Sequence, residues 1–148
     1  MGGFPWRAVL GTAILLSVLA TAIWRLGGPF MKSGTCDLSS GPCSVSLGGQ
    51  QVEVELSPLR PRPDEEMLLK LRLAGDRVYQ LSEGKNTVDF TMPGMDMGEH
   101  RMTLAISTPK LLEGRITLPS CPMGHSLWQA SIRLSELPMF EVNLHVGE

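Results

Sequence analysis

Between Ser44 and Val146 the chain alternates apolar and polar residues in short runs separated by glycines and prolines. In residues 51–56, Val52, Val54 and Leu56 fall on one side, and Gln51, Glu53 and Glu55 on the other. A period of two is that of a β-strand with one buried face. Residues 65–74 repeat the pattern with Met67, Leu69, Leu71 and Leu73. Their Leu, Glu and Lys content would suit a helix, but the alternation and the missing N-cap favour a strand. Further strands are expected at 44–47, at 87–91 with Val88 and Phe90 inward, and at 100–107 with Met102, Leu104 and Ile106 inward. Others follow at 111–118, broken by Gly114, at 126–134 around Trp128, and at 139–146 around Phe140. Residues 78–81 offer a short extra strand. About eight short strands at intervals of roughly ten residues predict an all-β antiparallel sandwich. No internal repeat is present, and ~110 residues can bury a self-sufficient core.

The N-terminus breaks this pattern. From Ala8 to Trp24, seventeen residues carry no charge, and Trp6-Arg7 and Trp24-Arg25 flank them. An apolar run with an aromatic and a cation at each edge is expected of a transmembrane helix, which needs about 17–25 residues. The competing possibility is a cleaved signal peptide ending at Ala20-Thr21-Ala22. The apolar run continues through Ile23 and Trp24, which favours a retained anchor. Gly27-Gly28-Pro29 stops a helix and opens a tether. The expected organisation is an anchor over 1–27, a linker over 28–35 and an exported domain over 36–148, with the short N-terminus inside.

The cysteines fit export. Cys36 and Cys43 bracket Asp-Leu-Ser-Ser-Gly-Pro, a turn-rich loop that can close as a disulfide in an oxidising compartment. Cys121 is left unpaired. A net charge of −2, with Lys and Arg scattered, gives no basic face for nucleic acid. Neither a phosphate loop nor a nucleophile elbow is present, so no enzyme is expected.

The chemistry lies in two short clusters. Met92 to Met102 holds four methionines and His100 in eleven residues, and Cys121-Pro-Met-Gly-His125 follows. Thioether, thiolate and imidazole are ligands that suit Cu(I). Met102 alternates with Leu104 and Ile106, and Met92 continues Val88 and Phe90, so both are expected in the core. Met95 and Met97 are expected in a water-facing Pro/Gly turn, where a thioether gains little from burial. In an antiparallel sandwich, two strand reversals return the chain to the same end. Residues 93–99, 119–125 and 58–63, together with Cys43, should therefore meet at one pole. The candidate metal ligands are Met95, Met97, His100, Cys121, Met123 and His125. A different use of the same turn is an apolar contact surface, since methionine suits adaptable interfaces.

The Met-rich segment 88–102, the segment 118–132 with its Gly124…Trp128 spacing, and the single N-terminal apolar run resemble the FixH-like and YtkA-like proteins of bacteria. That resemblance implies an immunoglobulin-like sandwich on a single-pass anchor in the inner membrane, with its domain in the periplasm. It also implies a link to copper handling or to assembly of haem–copper oxidases. The Met-rich turn is similar to the Cu(I) loops of periplasmic copper-resistance sandwiches. The chain departs from both in carrying Cys36, Cys43 and Cys121, and in lacking longer Met-x-Met repeats.

Overall fold

A computed structural model of the chain describes residues 36–76 and 79–147. The expected anchor, the linker and Val78 lie outside the described residues. No helix among the described residues is long and apolar enough to cross a membrane.

The described chain is all-β. Nine strands follow a single 3-10 turn, η1, at Leu38–Ser40. They are β1 Cys43–Leu47, β2 Gln50–Ser57, β3 Glu66–Ala74, β4 Thr87–Met92, β5 Met95–Thr103, β6 Ala105–Thr108, β7 Leu111–Thr117, β8 Leu127–Leu134 and β9 Leu137–His145. One sheet has the order β1-β2-β3-β7-β6, the other β5-β4-β8-β9, and every pairing is antiparallel. The sheets share one core, the arrangement of a β-sandwich. Its members are the residues that alternation turned inward, among them Val54, Leu71, Val88, Phe90, Trp128, Ile132 and Val142, each at most 1 % exposed. Among the described residues, Trp128 is the largest fully buried side chain.

Three local features differ from expectation. Residues 100–107 do not form one strand, because the chain bends at Leu104 and passes from β5 in one sheet to β6 in the other. The buried Leu104 anchors the bend, and its N–H donates to the Asn86 carbonyl at 2.8 Å. The direction of travel is kept, so strand counting still returns the chain to the expected pole. Gly114 does not break β7. It sits opposite Leu69 in an unbroken ladder and leaves room for Met102 from the facing sheet. The described part of residues 75–86 forms no strand; Ser82 and Asn86 there tie down the β8–β9 hairpin through Ser135.

The pole opposite that hairpin gathers the expected loops. Asp64 donates to the Leu118 carbonyl at 2.9 Å, Gly147 to Pro61 at 3.1 Å and Val146 to Ser126 at 2.8 Å. Cys36 and Cys43 are joined as a disulfide with Cα atoms 6.0 Å apart. The loop they close holds Leu38, fully buried, between β2 and β9.

Candidate metal centre

The β4–β5 hairpin turns in two residues. Met92 pairs with Met95, leaving Pro93 and Gly94 between them. Proline fixes the first central position, and Gly94 takes the left-handed second one at φ +81°, which makes the turn type II. This turn matches the twist of paired strands poorly. The ladder shifts register directly behind it, between Phe90 and Met92. Continued regularly from Phe90–His100, the pairing would set Met92 opposite Gly98. It stands opposite Met95, so β5 carries three extra residues. Gly98 bends the strand at φ +81°, and its N–H donates to Asp96 Oδ1 at 3.0 Å.

An odd insertion reverses the inside–outside alternation. Met95 and Met97 lie on one side of it, and His100 and Met102 on the other. All four therefore turn toward the interior. Met95 and Met97 are half-buried against the core, and Met102 is 5 % exposed. The expectation of a water-facing turn is thus corrected for Met95 and Met97, and their burial needs no metal to explain it. Met92 and Met102 belong to the core, as their alternation implied.

His100 is half-buried. One ring nitrogen, Nε2, lies 2.9 Å from the Met97 carbonyl oxygen across the bulge. The ring stands edge-on to Trp128, centroids 5.4 Å apart and planes at 84°. Trp128 thereby packs against the His100 ring, a contact that its sequence position alone could not separate from ordinary core packing. On the outer face of β5, Arg101 Nε donates to Asp89 Oδ1, and this bond, the Asp89 charge and the nearby Glu99 raise the guanidinium pKa above its ordinary value.

The second cluster approaches from the β7–β8 connection. Residues 121–124 form a turn in which Gly124 donates to the Cys121 carbonyl at 3.0 Å, with Pro122 in the position proline favours. Cys121 is half-buried, and its thiol donates to Met95 Sδ at 3.9 Å. This contact joins the two sequence clusters. Met123, at the tip of the turn, is 75 % exposed. His125 is exposed as well, and no described contact brings either residue to Met95 or Cys121. The structure thus unites Met95 and Cys121, sets Met97 and His100 on the same inner face, and leaves Met123 and His125 at the rim.

Two sulfur ligands ~2.3 Å from one ion, taking the zinc–thiolate bond as the yardstick, would stand ~4.0 Å apart at a trigonal angle. The sulfurs of Cys121 and Met95 are 3.9 Å apart. They could share an ion with little movement. No three His, Cys, Asp or Glu side chains cluster among the described residues. A centre here would have to use thioethers, and thioethers select soft ions.

No protein-family model matches the sequence, and no curated protein is detectably similar to it.

Proposed function

We propose that this chain is a membrane-tethered copper-handling protein that holds Cu(I) as cargo at one pole of an immunoglobulin-like sandwich. Met95 and Cys121 are its primary ligands, with Met97 or His100 completing the set and Met123 and His125 available at the solvent rim. The 3.9 Å approach of the Cys121 and Met95 sulfurs carries this assignment. The seventeen-residue apolar run at Ala8–Trp24 supports a single-pass anchor. The Cys36–Cys43 disulfide supports an oxidising compartment, the periplasm of a bacterium, with the inner membrane behind it. A copper enzyme of that membrane, such as a haem–copper oxidase under assembly, is the partner the chemistry fits.

Bound Cu(I) would supply charge neutralisation for the Cys121 thiolate and remove it as a nucleophile. The test is alkylation of Cys121 by a maleimide in the intact chain, with and without one equivalent of Cu(I). Copper should protect the thiol, and Met95→Leu should abolish most of the protection. Equal labelling rates with and without copper would refute the assignment.

An alternative role, a contact module of a membrane complex, draws on the exposure of Met123 at 75 % and Leu59 at 45 %. Replacing Met95 and Met97 together with leucine separates the two. Leucine keeps an apolar surface and loses the thioether. Unchanged function in the cell would favour the contact module.

A further inference from the structure

A second polar feature lies outside the sulfur cluster. Asp37, Ser39, Ser40, Arg60, Ser126 and His145 line a cavity of about 130 Å³ between η1, the β2–β3 connection and the end of β9. Liquid water occupies ~30 Å³ per molecule, so the space holds about four waters or one small organic anion.

Two of its donors, the Ser39 hydroxyl and the Arg60 guanidinium, have no acceptor among the described residues. Ser39 is only 7 % exposed, and its Oγ accepts the His145 N–H at 2.7 Å. A hydroxyl also has a proton to donate, and among the described residues none of the hydrogen bonds takes that proton. The Arg60 guanidinium has no carboxylate partner among the described residues, Asp37 included. The Asp37 carboxylate is hydrogen-bonded through one oxygen. Its Oδ1 accepts from Ser39 N–H at 2.9 Å, and its Oδ2 lies 3.9 Å from His145 Nε2. Ser126 Oγ and His145 Nδ1 are 3.1 Å apart.

The order Ser126–His145–Asp37 has the connectivity of a nucleophile, a base and an orienting acid. It does not work as one, because 3.9 Å between His145 and Asp37 exceeds hydrogen-bond reach. What the pocket offers instead is one guanidinium without a carboxylate partner and serine hydroxyls around a small void. We infer that this pocket binds a small carboxylate, with Arg60 gripping the two oxygens and Ser39 donating to one of them. A planar carboxylate matches the guanidinium fork. With Arg60 and Asp37 both on its wall, a single negative charge leaves the pocket one charge from neutral and a dianion two, so the smaller charge is favoured. The pocket contains neither Met95 nor Cys121, so it stands independently of the copper assignment.

The test is a titration of the isotope-labelled full chain in detergent micelles with sodium acetate at constant ionic strength, using sodium chloride and sodium phosphate in parallel. Backbone amide shifts at Ser39, Ser126 and His145 should saturate with acetate in the millimolar range and not with chloride. Arg60→Gln, a change at an exposed side chain, should weaken acetate binding at least tenfold and leave the shifts of β4 and β8 in place. Shifts that rise linearly with every salt, or equal acetate affinity in the variant, would overturn the proposal. Phosphate binding tighter than acetate would overturn the choice of a carboxylate.

Discussion

Among the described glycines, Gly114 has the least room beside it. A Cβ added there would lie 2.6 Å from Met102 Sδ, 2.9 Å from Met102 Cγ and 3.0 Å from Leu104 Cδ2. Non-bonded carbon atoms settle ~3.5–4.0 Å apart, so the thioether must retreat by roughly 1 Å. Met102 is 5 % exposed and Leu104 1 %, so neither has open space to enter. Overpacking of this kind costs ~1–3 kcal/mol. Removing a glycine from the unfolded chain offsets ~0.4–1 kcal/mol of it. Gly114→Ala should therefore destabilise the domain by about 1–2 kcal/mol, or several degrees in Tm at ~4–8 °C per kcal/mol for small domains. Urea unfolding measures this. Met102→Ala alone should cost ~2–5 kcal/mol through its cavity. Combined with Gly114→Ala, the new methyl occupies part of that cavity, and the pair should fall short of additivity by ~0.5–3 kcal/mol. A neutral or stabilising Gly114→Ala, or costs that add within ~0.5 kcal/mol, would refute the packing argument.

Other outcomes follow from the same structure. Asn86 is fully buried, donates to the Ser82 carbonyl at 3.0 Å and accepts from Ser135 N–H at 3.1 Å; Asn86→Ala should cost about 2 kcal/mol in denaturant. Replacing Cys36 and Cys43 with serine opens a loop of sequence separation 7 and should lower stability by roughly 2–3 kcal/mol on the chain-entropy account, read from the shift in the unfolding midpoint. The double change Met95→Leu and Met97→Leu preserves volume, so each site should lose less than ~1.5 kcal/mol of stability in a melt while Cu(I) affinity falls. In a chain with Trp6 and Trp24 replaced by phenylalanine, Cu(I) should change Trp128 emission, because the His100 ring lies 5.4 Å from the indole.

The strands were legible because each buries one face, and Val52, Val54, Leu56 and their counterparts record that face directly. The polar convergence was legible too, since strand reversal fixes which loops share an end. The β5–β6 bend at Leu104 keeps the direction of travel and left that inference intact. The environment of Met95 and Met97 was not legible. Pro93-Gly94 signals a turn, but nothing in the sequence says that the turn ends after two residues and that three extra residues then join β5. That odd insertion set the methionines inward, and only the cross-strand register reveals it. Gly114 read as an interruption because a glycine ordinarily weakens a strand; its reason is Met102 in the other sheet, a non-local contact. In the alternation of β9, His145 falls on the opposite side from the buried Leu144 and Val146, the side that ordinarily meets solvent. The 3-10 turn at Leu38–Ser40, brought in by the disulfide, places Ser39 and Asp37 beside it.

The central claim is that Met95 and Cys121 share a copper ion, and competition for Cu(I) tests it most directly. The intact chain, with Cys121 reduced and the Cys36–Cys43 disulfide kept, is titrated against a chromophoric Cu(I) chelator beside Met95→Leu and Cys121→Ser. Uptake of one Cu(I) by the parent chain, weakened at least tenfold by either substitution, is the result predicted. No uptake by the parent chain, or uptake that neither substitution changes, would contradict it.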